Sequence, residues 1–74
     1  MPEMRSYYSS HVDAAGYDPE TGELHIDWQR GTRTVYVGVP PEVARDVLSA
    51  PSIGQALHAH VRGKFDHKTM KDET

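Results

Sequence analysis

The sequence predicts an α+β domain, in which a three-stranded antiparallel meander is followed by two short helices packed on one face (β-β-β-α-α). Three observations support this class. Residues 23–29 alternate between apolar and polar side chains, as a half-buried strand does. Pro40-Pro41 separates strand-like residues from segments in which apolar residues recur at helical spacing. The chain has 74 residues, which is enough for one domain with one small core.

The first two predicted strands form a hairpin. Residues His11 to Tyr17 form a modest strand that ends at a turn over residues 18–22. Pro19 presets φ for a type I turn, and Gly22 supplies a left-handed position. The second strand then places Leu24, Ile26 and Trp28 on one face and His25 and Asp27 on the other.

The length of the second turn decides which residues of the third strand, Thr32 to Val39, face the core. A two-residue Arg30-Gly31 loop places Ile26 opposite Val35, so that Val35 and Val37 join the core face and Tyr36 points away.

A three-residue loop over residues 29–31 exchanges the two faces. Trp28 then faces Thr32, Ile26 faces Thr34, and Leu24 faces Tyr36. We favour this loop because Arg-Gly is a poor type I′ pair, whereas glycine at the third position suits a type I turn with a G1 bulge. Val35 and Val37 then lie on the second face and need a cover, either the N-terminal segment or another subunit.

Two helices follow the prolines. Pro41 starts the first helix, which is expected to run to about Ala50 before Pro51 stops it. Ser52 and Gln55 match an S-x-x-Q capping box, and the second helix is expected to continue until Gly63 offers a C-terminal cap. Residues 1–8 form an expected frayed N-terminal segment, residues 9–65 the single domain, and residues 66–74 a polar C-terminal tail.

Composition excludes several classes. Without cysteine the chain has no disulfide framework, no thiolate zinc site and no thiol nucleophile. The N-terminus has no apolar signal region and no stretch is long enough to span a membrane, so we expect a cytoplasmic protein without a membrane partner. The net charge of −3 is uneven, because residues 1–54 carry −4 and residues 55–71 carry +3.

Residues that could carry catalysis or hold a metal do not form a recognisable motif. His58 and His60 are two residues apart and point to different sides of a helix. His25 with Asp27 and His11 with Asp13 could supply four ligands across the sheet, but exposed polar residues give the same alternation. The serines lie in no nucleophile elbow, and no phosphate-binding loop is present. We therefore expect no enzyme activity, no metal and no cofactor.

The candidate binding surface combines aromatic and basic residues. Aromatic side chains on a sheet can stack bases, while arginine and lysine contact phosphates. Trp28 and Tyr36 could instead belong to the core of so small a domain. The residues of the candidate RNA or partner surface are Tyr36, Arg30, Arg33, Arg62 and Lys64.

The order of motifs resembles the KTSC domain, a small domain named for its occurrence at the C-terminus of some lysyl-tRNA synthetases and also found as free-standing bacterial proteins. The matching motifs, which together span residues 9–65, are Ser9-Ser10, Gly16 to Gly22, Leu24 to Trp28, Tyr36 to Val43, Ala50-Pro51-Ser52 with Gly54, and Val61 to Phe65. The central Tyr-x-Tyr of the family falls on Thr34-Val35-Tyr36, so only its second tyrosine is kept. The family also tends toward aromatic residues where this chain has Ala56-Leu57.

The resemblance implies a small non-catalytic binding module, with RNA as the first candidate ligand because of the synthetase association. The alternative is a self-associating domain, forming a homodimer or binding a protein partner through the open sheet face. The valines at 35 and 37 motivate this alternative.

Overall fold

The computed structural model describes residues 4–7 and 11–71. One sheet of five antiparallel strands, in sequential order, carries two helices on one face. The elements are β1 (Arg5–Ser6), β2 (Val12–Asp18), β3 (Glu23–Trp28), β4 (Thr32–Tyr36), α1 (Pro41–Leu48), α2 (Ile53–His60) and β5 (His67–Lys71). The predicted class, a meander followed by two helices on one face, is confirmed.

The strand count requires a correction, because the sheet has five strands and not three. β5 pairs with β4 where a polar tail was expected, and the Val37 N–H donates to the Asp66 carbonyl at 2.9 Å to continue this ladder. β1 pairs with β2 within the segment expected to fray. Both added strands lie at the edges of the sheet, where main-chain hydrogen bonds to one neighbour hold them in place. Their sequences show no apolar alternation that would have predicted a strand. The Ser9-Ser10 motif lies outside the described residues.

The β3–β4 hairpin has the register of the three-residue loop. Leu24 pairs with Tyr36, and Ile26 pairs with Thr34. Gly31 takes a left-handed φ of 91°, and its N–H donates to the Trp28 carbonyl at 3.0 Å. Thr34 and Tyr36 therefore lie on the helix side of the sheet, and Val35 lies on the other side.

The core lies between the helices and β2, β3 and β4. Its fully buried large side chains are Val12, Leu24, Ile26, Val39, Val47 and Val61. Two tyrosine hydroxyls donate hydrogen bonds to main-chain carbonyls near the two ends of α1. Tyr17 donates to the Val39 carbonyl at 2.6 Å, and Tyr7 donates to the Leu48 carbonyl at 3.0 Å. Phe65 packs against the same core.

The helices begin where predicted and end earlier. Pro41 occupies the first turn of α1, as expected. α1 ends at Leu48, two residues before the predicted end, and the Ser49 hydroxyl donates to the Arg45 carbonyl at 2.6 Å. α2 ends at His60, and Gly63 with φ 78° belongs to the turn that follows. In the part of the chain that the structure describes, neither helix is long and apolar enough to cross a membrane.

We predict that two Gly→Ala substitutions change stability in opposite directions. Gly31→Ala should lower the free energy of unfolding by about 1–2 kcal/mol, because alanine is strained at this left-handed position. Gly54→Ala should raise it by about 0.5 kcal/mol, because Gly54 is helical and a Cβ there meets nothing within 4 Å. Urea unfolding followed by Trp28 fluorescence measures both. A neutral Gly31→Ala would contradict the loop geometry.

Candidate functional site

A groove lies between α2 and the part of the sheet that the helices leave uncovered. We call it the α2 groove; its volume is about 730 Å³. A second hollow of about 490 Å³ continues it along β4, and the two share Trp28 and His11. The residues lining the α2 groove are His11, Trp28, Tyr36, residues 51–55, Leu57, His58 and Arg62.

Trp28 forms a fixed aromatic wall of the groove. It ends β3 on the helix side of the sheet and is half-buried against the core. Its indole Nε1–H donates to the Thr34 hydroxyl at 2.8 Å, which fixes the orientation of the ring. The Trp28 ring therefore packs against the core and also lines the groove, whereas the sequence analysis treated these two roles as alternatives.

Tyr36 brings a phenol hydroxyl to the groove. The side chain is 6% exposed, and its ring lies 5.6 Å from the His67 ring between centroids. Among the residues that the structure describes, the hydroxyl has no hydrogen-bond partner. Burial raises the pKa of Tyr36 and the Arg62 guanidinium opposes this rise. The hydroxyl is therefore protonated at neutral pH and can donate a hydrogen bond to a ligand.

The first turn of α2 faces the groove without a side-chain cap. Ser52 is the N-cap residue, as predicted, but its hydroxyl makes no capping hydrogen bond, so the predicted capping box with Gln55 is wrong. Ser52 and Gln55 are both exposed, and water can satisfy their polar groups in place of the reciprocal bonds. The N–H groups of the first turn have no carbonyl within the helix to bond. Gly54 leaves open space beside them.

The groove is positively charged although the whole chain is acidic. Arg62, which follows α2, lies exposed and supplies this charge, and Arg30 adds a second positive charge in the continuation. None of the described residues that line the groove or its continuation is an aspartate or glutamate. The surface is thus suited to an anion with an aromatic part.

The structure brings together some of the residues that the sequence singled out. Tyr36 and Arg62 both line the α2 groove, and Arg30 lines its continuation. Lys64 lies apart, in a separate hollow beside Phe65. Arg33 lies on the opposite face, where it donates to both carboxylate oxygens of Asp27, at 2.5 and 2.9 Å.

Sequence reasoning missed His11, His58 and the start of α2 as groove residues. They reach the groove from the residue before β2 and from α2, which are far apart in the sequence, so no local pattern could have indicated them. His11 lies on the helix side, whereas His25 lies on the opposite face. The imagined four-ligand metal set is therefore divided between the faces. Within residues 4–7 and 11–71, no three metal-ligating side chains come together.

On the face of the sheet that carries no helix, which we call the helix-free face, Val35 is covered by residues of the same chain. Val35 is 5% exposed and His25 is 8% exposed, and the two are paired across β3 and β4. His25 Nε2 lies 3.2 Å from Glu23 Oε1, while His25 Nδ1 is buried without a partner among the described residues. Val35 thus reaches low exposure within a single chain, without the second subunit that the sequence suggested as one possible cover.

Comparison with known proteins identifies relatives over most of the chain. The sequence model of the KTSC domain matches residues 8–65. A protein from Tsukamurella paurometabola is 39% identical over 62 residues, which are 84% of this chain and 92% of that protein. A lysine–tRNA ligase from Nostoc punctiforme is 39% identical over 61 residues, which are 82% of this chain and 11% of the ligase. The crystal structure of a KTSC domain protein from Yersinia pestis matches with a TM-score of 0.88 and 27% identity, covering 95% of this chain and 99% of that one.

We predict that stability falls at alkaline pH, in part through Tyr7 and Tyr36. Burial raises the pKa of both hydroxyls above the ordinary value of about 10. Above that pH the unfolded chain loses these protons first, so the free energy of unfolding decreases as pH rises. In Tyr36→Phe the decrease between pH 9 and pH 11 should be smaller than in the wild type. Urea unfolding at a series of pH values measures it, and parallel curves for the two proteins would contradict the prediction.

Proposed function

The chain belongs to the KTSC domain family, and from this premise we propose that it is a non-catalytic module that binds single-stranded RNA in the α2 groove. The observation that carries the proposal is the groove's composition: Trp28 and Tyr36 form aromatic walls beside Arg62, and no acidic side chain is among the described residues that line it. Aromatic rings accept unstacked bases, and arginine contacts phosphate.

The relatives support a role next to RNA. Two lysine–tRNA ligases from Nostoc strains contain a segment similar to 82% of this chain, and that segment is 11% of each ligase. A tRNA ligase acts on an RNA, and a module of this size within it could contact the same molecule. The chain spans only this small part of the ligases, so their catalytic activity does not pass to it.

The charge distribution supports the same surface. The basic portion of the sequence, residues 55–71 with a net charge of +3, starts within α2 and continues into β5. Both elements border the groove or its continuation, since Gln55 and His58 of α2 line the first and Thr69 of β5 lines the second. Neutralisation of RNA phosphates by these basic residues contributes to affinity, and added salt should reduce this contribution.

Self-association is the second candidate and has less support. The helix-free face contains Val35, but this side chain is already 5% exposed in the single chain. The Asp27–Arg33 ion pair on the same face is satisfied within one chain. Light scattering tests this alternative, and a dimer at micromolar concentration that Val35→Lys dissociates would support it.

We predict that a short single-stranded oligouridine quenches the fluorescence of Trp28, the chain's one tryptophan. At low salt the dissociation constant should be on the order of 10 µM, weakening as salt rises. Arg62→Gln should weaken binding roughly tenfold, because it removes a charged phosphate contact.

Arg45→Gln is the matched control, since Arg45 is an exposed arginine on α1 that does not line the α2 groove. It makes the same change in net charge and should alter the dissociation constant by less than about twofold. Absence of quenching at several hundred micromolar oligouridine, or equal losses in the two variants, would contradict the proposal.

A further inference from the structure

The outer side of β5 is an open strand edge. Among the described residues the sheet ends at β1, which has two residues, and at β5, which has five. β5 pairs with β4 on one side, and no strand within residues 4–7 and 11–71 pairs with its other side, which we call the β5 edge. His67, Lys68 and Thr69 are all exposed. An open edge of this length can pair with another extended chain.

The hydrogen-bond pattern shows which main-chain groups point outward at the β5 edge. The Val37 N–H donates to the Asp66 carbonyl at 2.9 Å. In an antiparallel ladder, residue pairs that exchange hydrogen bonds alternate with pairs whose main-chain groups point away from each other. Counting from this bond, Lys68 and Met70 bond toward β4. Three alternate residues therefore present both an N–H and a C=O at the β5 edge: His67, Thr69 and Lys71.

We propose that the β5 edge binds an extended acidic peptide segment of a partner protein, which pairs antiparallel with β5 as a sixth strand. This binding activity is separate from the proposed RNA function, because no residue of β5 lines the α2 groove. In strand addition the main-chain bonds supply affinity, and side chains at alternate positions of the peptide supply specificity.

Charge favours an acidic segment over a second copy of β5. β5 contains two lysines and no acidic residue. Lys68 is exposed and lies on the helix-free face, because it pairs with Val35. An acidic residue opposite Lys68 would form a favourable cross-strand pair. A second β5 would instead bring two more lysines to the same edge, and lysines at sheet edges disfavour pairing between copies.

The hollow beside Thr69 provides room for a side chain of the added strand. Thr69 pairs with Thr34 on the helix side, and their hydroxyl oxygens lie 3.4 Å apart. Both residues line the hollow of about 490 Å³ that continues the α2 groove. A peptide residue opposite Thr69 would have its Cα about 5.5 Å away and its side chain on the same face. The expected pattern is therefore an apolar residue opposite Thr69 with an acidic residue on each side of it.

The first test titrates the ¹⁵N-labelled chain with the peptide acetyl-Thr-Glu-Leu-Glu-Thr-amide and follows the amide protons of β5 by NMR. The outward amide protons of His67, Thr69 and Lys71 should shift downfield, because each gains a carbonyl acceptor. The amide protons of Lys68 and Met70 should shift less, because they already bond to β4. Shifts of equal size at all five amides, or no shift at several millimolar peptide, would overturn the inference.

Methylation of the peptide backbone provides a matched pair of probes. A methyl group on the leucine nitrogen removes the N–H that faces Thr69, and this peptide should bind at least about tenfold more weakly. A methyl group on the first glutamate nitrogen removes an N–H that points away from β5, and affinity should change by less than about threefold. The two methylated peptides have the same composition and charge, so equal affinities would overturn the strand pairing.

Lys68→Glu tests the charge assignment, with Lys64→Glu as its matched control. The two variants make the same change in net charge, and Lys64 lies outside β5 in a separate hollow. Lys68→Glu should weaken peptide binding at least about fivefold, because like charges then lie opposite each other. Lys64→Glu should weaken it by less than about twofold. Equal losses of affinity in the two variants would overturn the contact between Lys68 and the peptide.

Two further measurements address other occupants of the β5 edge. Light scattering without peptide should give a monomer, and a dimer whose formation shifts the His67 and Thr69 amide protons downfield would overturn the acidic occupant. Oligouridine should not reproduce the alternating shifts along β5, because a nucleic acid has no row of peptide N–H and C=O groups to pair with a strand. The same alternating shifts with oligouridine would overturn the assignment of the β5 edge to a peptide.

Discussion

The register of the β3–β4 hairpin determines what each face of the sheet presents. Gly31 closes a three-residue loop with φ 91°, and this loop pairs Leu24 with Tyr36. A slip of one residue would exchange the faces of β4. Tyr36 would then leave the helix side, and Thr34 would no longer be placed to accept the Trp28 hydrogen bond of 2.8 Å. The aromatic walls of the α2 groove therefore depend on one glycine in a turn.

The groove lies where α2 meets the ends of two central strands. α1 lies against β2, and α2 packs against α1. Trp28 of β3 and Tyr36 of β4 reach the groove from the sheet, and both also pack against the core. The edge strand β5 adds Thr69 to the hollow that continues the groove. The same strands therefore support the core and line the concave surface.

Local patterns were sufficient to predict the middle of the chain. The alternation in β3, the glycine of the second turn and Pro40-Pro41 each act on neighbouring residues, so the meander, its register and the helix starts could be read in advance. β5 could not be predicted in this way, because its pairing rests on main-chain bonds to a strand about 35 residues earlier. Ser52 shows another limit: the spacing to Gln55 identified the N-cap position, but spacing does not fix a rotamer, and the hydroxyl makes no capping bond. The groove joins residues from β3, β4 and α2, and only the assembled fold makes them neighbours.

The acidic character of the chain and a positive groove are compatible because they act over different distances. Glu23, at the start of β3, is five residues from Trp28, or about 17 Å along the strand, and it points to the helix-free face. Charges at this distance are largely screened at physiological ionic strength, where the Debye length is about 8 Å. Long-range steering of a polyanion to this chain is therefore weak. Under the proposed function, affinity therefore depends on contact within the groove, where a base can stack on Trp28 and a phosphate can lie beside Arg62. A flexible single strand can bring an unstacked base into the groove, and a stacked duplex cannot.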